Sequence, residues 1–174
     1  NERVEESRDG AHGYRGAGGP IRVTRHKSPQ EGTLQFIQAT SDTLGVKILD
    51  DYNGESQEGI SRMQQNAADG LRYSASRGYV HNLAPARLEL QSEVLVTKVV
   101  IDHGRATGVE VTDKDGTRRT IRAGKEVILS AGFVGSAQLL MLSGIGHAQH
   151  LRDHGIAVLA DLHVGDNLHD HMFH

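Results

Sequence analysis

The sequence has 174 residues, 37% of them hydrophobic, which is enough to bury one ordinary core. Its 19 Lys+Arg against 22 Asp+Glu give a formal net charge of −3, so the basic footprint that grips a phosphate backbone is missing and nucleic acid is not an expected partner. With no cysteine there is no disulfide framework, thiolate nucleophile or Cys-ligated metal, and any redox chemistry would need a bound cofactor.

Residues 1–19 mix charges with glycines and have no period, which predicts an extended or mobile leading segment without a basic-then-apolar signal pattern. Ile21-Arg22-Val23-Thr24 alternates and predicts a short strand. Leu34, Ile37 and Leu44 outline a helix starting near Ser28, with Ser28 as N-cap, Pro29 at the first helical position and a stop at Gly45. The stretch Asp50 to Gly59 reads as a loop, and Ser74 opens a second short helix through Tyr79 that Pro85 ends.

From Leu88 the pattern becomes β. Apolar-rich runs over 94–101, 107–112 and 118–121 are separated by Asp102-His103-Gly104 and Asp113-Lys114-Asp115-Gly116, predicting a three-stranded antiparallel meander over about 88–122. Glu126-Val127-Ile128-Leu129-Ser130 predicts a short buried strand, followed by the turn Ala131-Gly132-Phe133-Val134-Gly135 and a helix, a strand–glycine turn–helix unit over about 126–142. A further helix is expected over about 147–154 with Gly155 as its C′ residue, then a last strand at 158–160. No apolar run approaches the roughly 18 residues of a membrane-spanning helix.

Ser130-Ala131-Gly132-Phe133-Val134-Gly135-Ser136 matches the second and third glycines of a dinucleotide fingerprint, with Ser at the first. Glycines there let backbone approach a ligand, and the following helix start presents unpaired N–H groups to an anion. On local residues alone a structural turn is favoured over a phosphate cradle. Eleven histidines invite a metal reading, chiefly His163, His169, His171 and His174 with Asp166 and Asp170. His169 and His171 point to opposite faces of an extended chain. His150 and His154 could share a helix face, but cations at a helix C-terminus are common without a metal. No metal ligand is assigned on this basis, and no Gly-x-Ser-x-Gly elbow supports a hydrolase.

Several separated stretches carry a resemblance. Gly70-Leu71-Arg72-Tyr73-Ser74 through Tyr79, Arg105-Ala106-Thr107-Gly108-Val109-Glu110, Glu126 through Gly132, Gln138 through Gly146, and Val164-Gly165-Asp166-Asn167-Leu168-His169-Asp170-His171 occur in the order found in the glucose–methanol–choline (GMC) flavoenzymes. The chain thus resembles that family, and bacterial choline-dehydrogenase-like members in particular. It departs from the family pattern at Ala137, His147 and His163, where proline is common, and at Arg87, where asparagine is usual.

The resemblance implies an α+β chain: part of an α/β FAD-binding Rossmann-like domain, over residues 87–174, plus part of an antiparallel-sheet substrate domain with connecting segments, over 1–86. It implies FAD as cofactor and a small-molecule alcohol as substrate of the complete enzyme. It places Val96 against the adenine through its main chain, and Ala131 and Gly132 beside the principal dinucleotide loop. Arg72 and Ser74 are expected to be structural. The family's Gly-x-Gly-x-x-Gly loop and its catalytic His pair match nothing here, so no catalytic residue is assigned and the chain is expected to be an internal portion, inactive alone. The competing readings are a structural module without flavin and, on composition, a histidine-based metal-binding module.

Overall fold

A computed structural model describes residues 13–25, 28–81 and 88–170, together with the backbone of 5–7. The expectations for Pro85, Arg87, His171 and His174 lie outside the described residues. The chain divides into two compact units, Asn1–Glu89 and Leu90–His174.

In the first unit, β1 (Glu5–Ser7) pairs in parallel with β2 (Ile21–Arg25), so the leading segment contains a strand where the sequence showed no period. The neighbouring strand supplies the ordering that local propensity did not. Helix α1 (Glu31–Leu44) ends at Gly45, which takes the left-handed conformation (φ 66°) as expected. Its start is later than predicted. Gln30 occupies the cap with extended backbone and no side-chain cap bond, while Ser28 and Pro29 lie outside the helix. Ile37 is its buried residue, whereas Phe36 and Leu44 remain exposed.

Three two-residue strands follow that the sequence did not announce: β3 (Gln64–Gln65), antiparallel to β2, and β4 (Ala67–Ala68) paired with β5 (Leu71–Arg72). The predicted second helix is a single π turn over Ser76–Val80. Ser74 does serve that turn, its Oγ accepting the Arg77 N–H at 3.2 Å.

The anchor of this unit is Arg15. The residue is 6% exposed, and its guanidinium grips the Asp51 carboxylate through two bonds of 2.6 Å, with Gln64 Oε1 as a further acceptor. Asp51 also accepts the Asn53 N–H at 3.0 Å, closing the turn that was read as a plain loop. The Arg15 hydrogen bonds, and to a lesser extent that of Asn53, hold the Asp51 carboxyl well below the usual carboxylate range, against the opposing effect of burial.

In the second unit β6 (Leu95–Asp102), β7 (Arg105–Thr112) and β8 (Arg118–Arg122) form the predicted antiparallel meander in the order β6-β7-β8. The segment 126–130 is not a strand, because no neighbour among the described residues pairs with it. It keeps the alternation of one. Val127 and Leu129 turn toward a cleft of about 490 Å³ with Val99, Ile101 and Leu140, while Ile128 between them is exposed.

Helix α2 (Gly132–Leu142) follows, then β9 (Ile145–Gly146), α3 (Ala148–Asp153) and β10 (Ala160–Asp161). β9 and β10 pair in parallel, so residues read as a helix stop and a slightly earlier last strand meet as a ladder. Gly155 (φ 69°) follows α3 as expected, and His147 caps that helix rather than entering it. Val99, Val111 and Leu151 form the buried apolar centre of this unit.

Asp51→Asn removes the carboxylate charge that the buried Arg15 guanidinium grips and is expected to destabilise the protein by about 3 kcal/mol. Because the folded Asp51 pKa is depressed, its contribution is present above the unfolded carboxyl value of about 3.9 and is lost as pH falls through the folded value. Urea midpoints by circular dichroism should show the deficit at pH 7 and a converging gap toward pH 2. Equal midpoints at pH 7 would contradict the assignment.

Candidate functional site

The residues singled out for ligand contact, Val96, Ala131 and Gly132, lie on two elements of the second unit. Val96 is half-buried on β6, opposite Val111 of β7. β6 is the edge of its sheet, so one side of its backbone faces away from any strand of the meander.

Which residues turn their main chain to that side follows from the ladder. In an antiparallel pair, hydrogen-bonded and non-hydrogen-bonded residue pairs alternate. The Val99 N–H is donated to Ser143 Oγ at 2.8 Å, so the Val99–Val109 pair is a non-hydrogen-bonded one. Counting along β7, Glu110 then faces β6 and Val111 faces β8. Val96 sits opposite Val111, and its N–H and C=O therefore point away from β7, to the same outer edge as those of Val99.

That result depends on a β-bulge. In a regular strand, residues three apart point to opposite edges; the register shift between Val96 and Lys98 inserts one residue and restores the common direction. Thr97, the extra residue, ties the bulge down by donating its hydroxyl to the Glu110 carbonyl at 3.2 Å. Hydrophobic patterning carries no signal for such an insertion.

Ala131 and Gly132 sit at the start of α2, Ala131 as the cap residue. Gly132 has φ 77°, a conformation that side chains rarely adopt, and a Cβ there would meet open space rather than packed atoms. The turn is thus required by backbone conformation, while the space beside it is free. Ser136 Oγ accepts the Ala131 N–H at 3.1 Å, closing the turn from within the helix. Phe133 and Val134 are exposed on its first turn.

No hydrogen bond among the described residues joins Val96 to Ala131 or Gly132. The eleven residues of α2 span about 16 Å, and it is the far end of the helix that reaches β6. There Ser143, 1% exposed, accepts the Val99 N–H and donates to the Leu139 carbonyl at 2.5 Å. In the sequence, Ser143 shows only as part of a helix stop. Its neighbour Gly144 is equally constrained: φ is 88°, and a Cβ would lie 2.5 Å from the Ala157 carbonyl oxygen. These contacts explain the Ser143-Gly144-Ile145-Gly146 motif as a junction of helix, meander edge and β9–β10 ladder.

The histidine constellation is rearranged. Of the C-terminal group, His163 and Asp166 come together, joined by His147, whereas His169 and Asp170 do not join them. His147 Nε2 and His163 Nδ1 lie 2.7 and 3.0 Å from the same Asp166 Oδ2. The His147 hydrogen bond, and then that of His163, hold the Asp166 carboxyl below the usual carboxylate range. His150 and His154 lie 4.5 Å apart between ring centroids with their planes tilted by 49°, and His154 Nδ1 is 2.9 Å from the His150 carbonyl, as at a helix end. Arg72 and Ser74 fall on β5 and before the π turn, and Arg77 lies over the Tyr73 ring at 5.1 Å.

The class of protein follows first from the fold. Pyridoxine 4-oxidase from Mesorbium loti superposes with a TM-score of 0.84 at 26% identity, over 92% of this chain and 31% of its own, so the chain has the fold of part of an oxidoreductase. The family is then plain: the sequence pattern described as GMC oxidoreductase matches residues 2–173, and the chain belongs to that family. It is 43% identical over 176 residues to an oxygen-dependent choline dehydrogenase of Brucella ovis, and 43% identical over 172 residues to one of Rhizobium etli. In each case 98% of this chain is covered, and the chain spans 31% of the relative's length.

Ser143→Ala leaves the buried Val99 N–H without an acceptor and should cost about 1–3 kcal/mol. Ser136→Ala, at an exposed turn, should cost less than about 1 kcal/mol. Amide exchange by NMR separates them: the Val99 amide should lose its protection in Ser143→Ala and keep it in Ser136→Ala. Unchanged protection in Ser143→Ala would refute the clamp.

Proposed function

We propose that this chain is a portion of an FAD-dependent oxidoreductase acting on CH–OH donors, with residues 87–174 forming part of the FAD-binding domain and 1–86 part of the substrate domain. The observation that carries this reading, beyond family membership, is the outward main chain of Val96. An adenine is recognised by paired donor and acceptor groups, and a bulged edge strand offers both from one residue without any special side chain. An apolar Val at the position is then unremarkable, because its side chain serves the sheet.

The residues present fit the cofactor. Val96 N–H and C=O would hold the adenine edge, and Ala131 with Gly132 would let backbone lie close to the dinucleotide at the start of α2, where unpaired N–H groups favour negative charge. FAD, when bound, supplies the hydride acceptor for oxidation of the alcohol carbon. Ser143 fixes the edge strand against α2 and thereby sets the orientation of the Val96 main chain. No residue here is assigned to proton abstraction from the alcohol.

The choline dehydrogenases at 43% identity favour a small alcohol substrate, with choline the first to test. The described residues contain no helix long and apolar enough to cross a membrane.

The intact protein that carries this chain should purify with flavin absorbance, release FAD on denaturation, and be bleached anaerobically by choline or another small alcohol. A colourless protein that takes up no FAD would contradict the reading. The residue assignment has its own test. Val96→Pro removes an N–H that faces outward on an edge strand, so the fold should tolerate it, but FAD affinity should fall about tenfold or more. Val96→Ile keeps both main-chain groups and should change affinity less than about threefold. Equal FAD affinity of folded Val96→Pro and the parent would remove Val96 from the site. Val99→Pro is unsuitable as a control, since it would delete the donor that Ser143 accepts.

A further inference from the structure

We infer that His147, His163 and Asp166 form a binding site for a divalent transition-metal ion, most naturally Zn2+, that clips the β9–α3–β10 segment of the second unit. The three side chains each offer one ligand atom, and these atoms all lie within 4.8 Å of one another. His163 and Asp166 are three residues apart, and His147 is brought to them by short-range backbone structure. β9 and β10 run in parallel with Gly146 opposite Asp161, so the residues that follow each strand emerge at the same end of the ladder. The Leu162 N–H bonds the Gly146 carbonyl at 3.2 Å, and the Ala148 N–H bonds Asp161 Oδ1 at 2.9 Å, holding both exits in place. The Val164 N–H bonds the Leu162 carbonyl at 2.8 Å and tightens the turn that brings Asp166 back.

The present hydrogen bonds, 2.7 and 3.0 Å to one carboxylate oxygen, are slightly shorter than ligand spacings around a metal. Zinc ligands at about 2.0–2.2 Å from the ion stand roughly 3.3–3.5 Å apart, so each ring draws back from Asp166 by a few tenths of an ångström, while the two imidazole nitrogens, within 4.8 Å of each other, reach that spacing by side-chain rotation. The imidazole planes meet edge to face at 80°, with centroids 4.9 Å apart, and one nitrogen of each ring reaches the same Asp166 Oδ2. Binding replaces the two contacts to Asp166 with nitrogen–metal bonds. Each ring is then neutral, its proton on His147 Nδ1 and His163 Nε2.

Two imidazoles with one carboxylate suit zinc, nickel, cobalt or copper, whereas magnesium and calcium prefer all-oxygen sets. Asp166 and both histidines are partly or largely solvent-exposed, so water completes the coordination and the ion serves as a clip.

The test uses the intact protein, stripped with a chelator, and Zn2+ alone competed against a chromophoric chelator. The inference expects one saturable site per chain, a raised Tm on zinc addition and no comparable effect of Ca2+. His147→Gln, His163→Gln and Asp166→Asn should each weaken that site more than about tenfold and abolish the Tm shift. His150→Gln combined with His154→Gln, which removes the other histidine pair, should leave both unchanged. Cu2+ in the unsubstituted protein provides a readout independent of variant folding: its electron paramagnetic resonance spectrum should show coupling to two imidazole nitrogens. Zinc uptake that does not saturate, that is equal in all variants, or that is lost only in the His150/His154 variant would overturn the inference, as would a copper spectrum without imidazole coupling.

Discussion

One hydroxyl organises the second unit. Ser143 is almost fully buried at the end of α2, where it accepts the Val99 N–H and donates to the Leu139 carbonyl. An edge strand ordinarily exposes a row of unpaired groups. Here the row is interrupted at Val99 by the side chain that ends the neighbouring helix. Helix and meander are therefore joined by a directional bond as well as by apolar contact, and the edge is held in one orientation. Gly144, next in sequence, lets the chain leave the helix and pass against 157–159 closely enough for the Gly144 carbonyl to accept the Leu159 N–H at 2.8 Å.

The same bond settles the direction of the Val96 main chain. Once Val99 is known to face outward, strand alternation and the bulge between Val96 and Lys98 leave Val96 facing outward as well. A site built this way is insensitive to side-chain identity and sensitive to register. Its specificity lies in the count of residues between two points of a strand. The proposed dinucleotide site at Val96, Ala131 and Gly132 would then rest on three backbone devices: a bulge, a positive-φ glycine and a helix start, with Ser143 as the shared support.

Much of this was legible in the sequence where local chemistry decides the outcome. The turns at Asp102-His103-Gly104 and Asp113 to Gly116 announced the meander, and Gly45 and Gly155 announced helix ends, because each rests on the conformational demands of a few adjacent residues. The failures have a common cause in partners distant along the chain. Residues 126–130 alternate like a strand but find no partner among the described residues; β1 has no apolar period but pairs with β2; and Arg15 lies in a glycine-rich stretch yet finds Asp51 and Gln64. His147 was read as helical when the β9–β10 ladder sets it beside His163 and Asp166. The motif order pointed to the family, while the bulge that orients Val96 left no trace in composition or period.

The most direct test of the account is residue-resolved amide exchange on the intact protein with and without FAD. If the outer edge of β6 and the start of α2 face the cofactor, FAD should slow exchange at the Val96 and Gly132 amides, and leave the Val99 amide, already held by Ser143, at its unliganded rate. Tight binding of FAD with no change at Val96 or Gly132 would contradict the account.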